Sequence, residues 1–296
     1  MKKNLILFIA LAGLLAVPHL QASWAYVPLE LRLAGAKYIV VGKIDRIVDG
    51  IERNNRTYDV GAIKVQQVLK GPKTLKEVKL MWPGPAPFAL STDIKFRKGQ
   101  EGVWILYPDK EEKDVYWASF PTDYQSLKNL PKVKEKMKAL KAIKWSKPVE
   151  GLQLGAIVEQ SDLRNQKITV KGRPVKALAR ATVYIVLRNS GKTPTHAVNF
   201  SQDKQLTIKA IGPDGRELPI ALGNRFGGGK LAQHHFLEIM PDAVRSMGYG
   251  MSLPLITKSG EYTLELGYAN KRKSGDLVKG SVWIGQLKGK ATFKVK

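Results

Sequence analysis

Residues 179–191 read ARATVYIVLRNSG, and their alternation decides the fold of the second half of the chain. Apolar residues occupy every second position from 179 to 187, and the turn-forming residues at 189–191 end the run. A two-residue period of this length is typical of a β-strand with one face on a core and the other largely in solvent. The core face should comprise Val183, Ile185 and Leu187, and the solvent face Arg180, Thr182, Tyr184, Val186 and Arg188.

Further apolar runs with the same period follow, and turn sequences such as GPDG at 212–215 separate them. Strands at this spacing, without a helical period between them, predict an antiparallel β-sandwich over 149–296. The phrases YIVLRNSGKTP (184–194), SGEYTLEL (259–266) and VWIGQLKGKATFKV (282–295) resemble the immunoglobulin-like tail domains of exported bacterial proteins. Those domains lack the cysteine pair of antibody domains, as does this cysteine-free chain.

The sequence of the first half predicts five strands, which begin near residues 38, 58, 77, 103 and 115. It also predicts a polar loop at 49–56 and a proline-rich loop at 82–88. Five strands with a long loop before the fourth resemble an OB-type barrel. The phrases YIVVGKI (38–44), YDVGAIKVQQVLKGP (58–72) and GVWILYP (102–108) resemble the netrin-like barrels, related to tissue inhibitors of metalloproteinases, of exported bacterial proteins. The resemblance implies such a barrel within 26–148. The animal inhibitors bind zinc through an N-terminal cysteine, so that mechanism does not transfer to this chain.

The N-terminus has the three regions of a secretory signal peptide. Lys2 and Lys3 precede an apolar run at 5–17, and small residues follow at Ser23 and Ala25. We expect residues 1–25 to be removed, which would make the protein periplasmic or extracellular in a bacterium. No later run is long enough to span a bilayer, so no transmembrane span is expected in the mature chain. The absence of cysteine also fits a bacterial envelope better than a small secreted animal module.

An amphipathic helix is predicted within 126–148, at the end of the barrel region. Its apolar residues step by three and four, and lysines surround this stripe. The apolar residues are Leu130, Val133, Met137, Leu140 and Ile143; the lysines are at 128, 132, 134, 136, 138, 141, 144 and 147, opposed only by Glu135. The chain carries 49 Lys and Arg against 25 Asp and Glu, for a formal net charge of +24 spread over both halves.

A basic helix of this kind can attract polyanions. The residues for such a site are Lys132, Lys134, Lys138 and Lys141. The structural alternative is a helix whose apolar stripe closes one end of the barrel and whose lysines are simply solvated. Only Trp145 is an interleaved aromatic residue, and single-stranded nucleic acids need stacking platforms, so nucleic acid is disfavoured as a partner.

Three other segments contain residue types found in metal or phosphate sites, but none has the pattern that such a site requires. His234, His235 and Glu238 are metal-ligand types, but a strand points the two histidines to opposite faces. The run NRFGGGKL at 224–231 departs from the phosphate-loop pattern, and DKEEKD at 109–114 lacks the glycine and ligand spacing of a calcium loop. The sequence therefore predicts no metal site, no cofactor and no catalytic residue.

These patterns favour an exported, non-catalytic envelope protein that binds another protein or an acidic polymer, such as an acidic polysaccharide. Two alternatives stay open. One is an envelope hydrolase with a site that no motif reveals, and the other is a protease inhibitor, which rests on fold analogy alone.

Overall fold

Among the residues that the structure describes, strands make up 54% and helices 11%, so the expected mainly β class is confirmed. The computed structural model describes residues 27–84, 95–118, 121–198, 205–220, 232–247, 250–271 and 277–296. The predicted signal peptide at 1–25 lies outside these residues. Neither α-helix in the described residues has the length and hydropathy that a bilayer crossing requires.

A closed ring of strands forms the first half. Its strands are β1 (Tyr38–Arg53), β2 (Arg56–Lys70), β3 (Glu77–Pro83), β4 (Glu101–Pro108) and β5 (Val115–Trp117), with the short β6 (Tyr124–Gln125) beside β4. The neighbour order is β1-β2-β3-β5-β4, and β1 also pairs with β4, which closes the sheet on itself. β3 and β5 run parallel, whereas the other pairs are antiparallel.

Large aromatic side chains fill the inside of the ring. Trp104 is fully buried, and its Nε1 donates a hydrogen bond of 2.8 Å to the carbonyl oxygen of Gly42. Phe96 packs edge-on against Trp104 and Trp82, with ring centroids 5.1 and 5.6 Å away. Gly61 has no room for a side chain, because a Cβ there would lie 2.8 Å from the Trp82 ring. The core is therefore packed around these rings.

β1 and β2 extend as a long hairpin past Lys43, where the pairing of β1 with β4 ends. The polar segment 49–56, predicted as a loop, is mostly strand, and its turn is confined to Asn54 and Asn55. Their φ angles of 50° and 58° match a two-residue hairpin turn whose twist suits the flanking strands. Tyr58 packs edge-on against Trp117 at 5.4 Å, which gives this end of the hairpin apolar support.

Two helices, α1 (Leu29–Gly35) and α2 (Leu130–Lys141), cover the outer side of β1 and β4. Ile39 and Ile105 alternate with the inward-facing Val40 and Trp104, and they form a second buried cluster with the helices. The helix residues in that cluster are Leu29, Leu33, Leu130, Val133, Met137 and Leu140. The predicted amphipathic helix thus lies against the side of the ring rather than closing one end of it. It ends at Lys141, earlier than the sequence indicated.

The second half consists of several antiparallel sheets. Its strands are β7 (Leu152–Asp162), β8 (Ile168–Val170), β9 (Arg173–Val175), β10 (Ala179–Asn189), β11 (Thr195–Val198), β12 (Leu206–Ile211), β13 (Glu217–Leu218), β14 (Phe236–Ile239), β15 (Val244–Ser246), β16 (Met251–Ser252), β17 (Gly260–Asn270) and β18 (Gly285–Val295). β10 lies between β7 and the pair β15 and β16, while a second sheet has the order β13-β12-β17-β18. One buried cluster draws on both sheets, with Ile185 from the first and Leu266 from the second.

The prediction of a one-sided β10 is half right. Val183, Ile185 and Leu187 belong to the core, as expected, and Arg180 is exposed. On the other face, Tyr184 and Val186 are also buried, with exposed fractions of 7% and 0%. They pack with Ile157 against residues of the first half and its connecting segment: Leu31, Leu140, Ile143 and Trp145. This face is dry because the first half covers it.

Candidate functional site

The four lysines proposed as a polyanion site do not share one face of α2. All four side chains are exposed. Lys134, Lys138 and Lys141 follow one another at intervals of four and three residues, which places them on one flank of the helix. Lys132 lies two residues before Lys134 and therefore points away from that flank. We call Lys134, Lys138 and Lys141 the basic flank.

A fifth lysine of α2 has a structural partner. Lys136 Nζ lies 2.7 Å from Oε1 of Glu30 in α1, and Glu30 is only 8% exposed. The hydrogen bond to Glu30 raises the pKa of Lys136 above its ordinary value. This contact ties α2 to α1. In contrast, the three lysines of the basic flank have no ion-pair partner within the part of the chain that the structure describes.

Lys141 also lines a cleft of about 450 Å³ between the two halves of the protein. Its walls are mainly apolar and include Leu69, Met137, Leu140, Ile143, Trp145 and Val244. The charged residues around it are Lys70, Lys141, Arg188 and Asp242. A volume of this size, with apolar walls and a few convergent polar groups, is typical of a small-molecule site. The basic flank and the cleft meet at Lys141.

Lys70 ends β2 and reaches the C-terminal turn of α1. Its Nζ donates hydrogen bonds to the carbonyl oxygens of Ala34 and Leu33, at 2.9 and 3.3 Å. These carbonyls carry the negative end of the helix dipole, which favours a cation there. Burial nevertheless lowers the pKa of Lys70, and repulsion from Lys37 and Arg188 adds to this effect, so that the pKa is about 8. No carboxylate pairs with Lys70 among the described residues.

Arg188 is the second cation of the cleft, and its partner is weakly placed. Its Nη2 lies 3.5 Å from Oδ1 of Asp242, and the two side chains are 38% and 83% exposed. An exposed pair with this separation contributes little to stability. Because Lys70, Lys141 and Arg188 face a single carboxylate, the cleft has an excess of positive charge.

The side chains of His196 and His235 contact backbone groups. β11 and β14 set His196 opposite Glu238, but His196 Nδ1 lies 3.3 Å from the carbonyl oxygen of Ser281. His235 Nδ1 accepts a hydrogen bond from the backbone N–H of Ala232 at 2.8 Å. Among the described residues, no three His, Cys, Asp or Glu side chains are grouped to hold a metal ion. The side chain of His234 lies outside what the structure describes.

The acidic tip at 109–114 is built around one carboxylate that accepts hydrogen bonds. Asp109, 4% exposed, accepts from Arg53, from Trp117 and from the backbone N–H groups of Glu111 and Glu112. Burial alone would raise the pKa of Asp109, but these donors outweigh it and hold the pKa well below its ordinary value. Asp109 therefore stabilises this segment as the tip of a hairpin. The glycine-rich run at 224–231 lies outside the described residues.

No protein-family model matches the chain, and no curated protein matches it. The case for a function therefore rests on the chain's own residues. The lysine pattern of the sequence led to Lys132, Lys134, Lys138 and Lys141, of which the basic flank keeps the last three, but the sequence gave no motif for the cleft. Lys70 lies in the quoted phrase YDVGAIKVQQVLKGP (58–72), and Arg188 lies one residue before the end of β10, so the sequence shows each as a polar residue near a strand end. Their proximity depends on how the two halves pack.

Proposed function

We propose that this protein is an exported, non-catalytic binding protein of the bacterial envelope, and that its basic flank holds an acidic polysaccharide. Residues 1–25 act as the signal peptide in this proposal. Residues 26–148 form an OB-type, netrin-like barrel, and residues 149–296 form an immunoglobulin-like sandwich. The closed strand order β1-β2-β3-β5-β4, with β3 parallel to β5, supports the barrel assignment. The two sheets that share one buried cluster support the sandwich.

The observation that carries the function is the state of the lysines in the basic flank. Their charges are exposed and lack an ion-pair partner in the described residues, whereas the neighbouring Lys136 is used to fasten α2. Along the helix axis the three lysines are spaced by about 6 and 4.5 Å, since an α-helix rises about 1.5 Å per residue. A row of cations at this spacing can contact successive anionic groups of an extended polymer.

An acidic polysaccharide fits this row better than the alternatives do. Trp145, the aromatic residue after α2, is partly buried against β10, so it offers no free stacking platform for bases. An acidic protein would need a projecting apolar anchor on α2 beside the charges, but the apolar stripe of α2 is mostly packed against β1 and β4, and the apolar cleft at Lys141 is recessed between the two halves. Neither the hydrolase nor the inhibitor alternative gains a supporting feature from the described residues.

The test is retention on an immobilised sulfated polysaccharide such as heparin. The triple variant Lys134→Gln, Lys138→Gln, Lys141→Gln should elute at clearly lower salt than the parent. The matched control is Lys288→Gln, Lys290→Gln, Lys294→Gln on β18, which removes the same charge from exposed side chains elsewhere. The control should elute close to the parent. Equal losses in the two triple variants would mean that overall basicity, rather than the basic flank, causes retention.

A further inference from the structure

The cleft between the two halves combines two features that a single class of ligand would satisfy. On one side it is bounded by α1, β1 and β2 with the end of α2, and on the other by β10, β15 and Asp242. Ile143 and Trp145 of the connecting segment form part of its wall. The site is therefore assembled from both halves, and neither half supplies its charges alone, since Lys70 comes from the first and Arg188 from the second.

The apolar walls and the charged residues of the cleft favour different parts of a ligand. Apolar side chains such as Leu69 and Val244 gain free energy when a hydrocarbon group replaces water against them. Three cations, Lys70, Lys141 and Arg188, surround the same space with Asp242 as their single counter-charge. A small inorganic anion would leave the apolar walls in water, while a neutral hydrocarbon would leave the Lys70 ammonium desolvated without a counter-charge.

The geometry points to a binding site in this cleft for a single-chain amphiphile with an anionic head group, such as a long-chain carboxylate. The chain lies along the apolar wall, and the head group contacts Arg188 and Lys70. Lys70 is suited to this role because an ammonium has three N–H donors, and two are held by the carbonyl oxygens of Leu33 and Ala34. The inference goes beyond polysaccharide binding and does not depend on it.

Binding should be coupled to protonation of Lys70. The charged groups around its ammonium are Lys37 and Arg188, with Lys141 and Asp242 also lining the cleft. The pKa of about 8 reflects burial first and then repulsion from Lys37 and Arg188. An anionic head group offsets that repulsion and favours the charged form. Near pH 8, where Lys70 is partly deprotonated, the protein should therefore take up a proton as the ligand binds.

The experiment is calorimetric titration of the full protein with dodecanoate below its micelle concentration, at pH 8. We expect one dodecanoate per protein, with proton uptake seen as a dependence of the heat on the buffer's ionisation enthalpy. Acetate supplies the head group alone, and dodecyl maltoside supplies the chain with a neutral head group. Both should bind at least about tenfold more weakly, since each lacks one half of the recognition.

Arg188→Gln should weaken dodecanoate binding by at least about tenfold, the scale of one lost charge-assisted contact. The matched control is Arg180→Gln, on the same strand but exposed outside the cleft, and it should bind like the parent. The inference is overturned if the parent fails to bind dodecanoate, if dodecyl maltoside binds as tightly, or if the two variants behave alike. These variants leave the basic flank intact, so the result is separate from that of the polysaccharide test.

Discussion

The guanidinium of Arg32 in α1 contacts the carboxylate of Asp123, with Nε 2.5 Å from Oδ1, and both side chains are buried. Their exposed fractions are 4% and 0%. Arg32 also lies over the ring of Tyr107, 5.6 Å from its centroid, while the Tyr107 hydroxyl donates a hydrogen bond to the Arg32 carbonyl oxygen. This group of side chains fixes α1, which in turn positions Glu30 and the C-terminal carbonyls that Lys70 contacts.

Removing one partner of this buried pair should be costly. Asp123→Asn removes the negative charge beside the buried Arg32 guanidinium, and breaking a buried pair in this way typically costs about 3–5 kcal/mol of unfolding free energy. The control is Asp45→Asn, because Asp45 is 57% exposed and 3.7 Å from Arg46, so that pair is worth about 0–1 kcal/mol. Urea unfolding measures both. Similar losses in the two variants would show that the buried pair does not anchor α1.

The two buried faces of β10 give a second prediction. Ile185→Ala should cost about 2–5 kcal/mol, because it empties a packed site in the core of the second half. Val186→Thr keeps the shape but buries a hydroxyl on the face covered by the first half, and it should cost about 1–3 kcal/mol. Arg180→Gln, on an exposed position, should change stability by less than about 0.5 kcal/mol. If Val186→Thr is as mild as Arg180→Gln, that face is wet in solution.

These residues also show what could be read from the sequence. Alternation identified β10 and its core face, because the period of two is a property of the strand itself. The burial of Tyr184 and Val186 could not be predicted from the sequence, because the residues that cover them include Leu31 and Leu140, which are far away in the chain. Helix α2 was likewise visible from its apolar spacing, but its place beside the ring depends on the outward residues of β1 and β4. The same reason hides the cleft.

Lys70 predicts a pH dependence of stability. Its pKa is about 8 in the folded protein, below the ordinary value of 10.5, so between these values the unfolded state binds more protons. The free energy of unfolding contributed by this group should therefore rise as the pH increases from 8 towards 10.5. Lys70→Met should lose that rise, whatever its effect at neutral pH. The free energy of unfolding of the parent and of the variant is measured at pH 8 and at pH 10. An equal change between the two pH values in both proteins would contradict the lowered pKa of Lys70.

The division of the helix lysines into two sides gives a fourth prediction. Lys138→Gln removes the middle cation of the basic flank, whereas Lys132→Gln removes the same charge from another side of α2. Lys138→Gln should therefore reduce the affinity for heparin more than Lys132→Gln does, and neither should change the unfolding temperature appreciably, since both side chains are exposed. Fluorescence titration at one fixed salt concentration compares them. A larger effect at Lys132 would place the binding surface elsewhere on the helix.

The salt dependence of heparin binding tests the central claim most directly. For phosphate polymers, each lost contact reduces the slope of log K against log salt by roughly 0.7–0.9. Removal of the basic flank by Lys134→Gln, Lys138→Gln, Lys141→Gln should therefore flatten the slope by about 2–3 units, with the fold retained. The β18 control Lys288→Gln, Lys290→Gln, Lys294→Gln should keep the parental slope. A parental slope in the basic-flank variant, or the same flattening in both, would contradict a polymer site on α2.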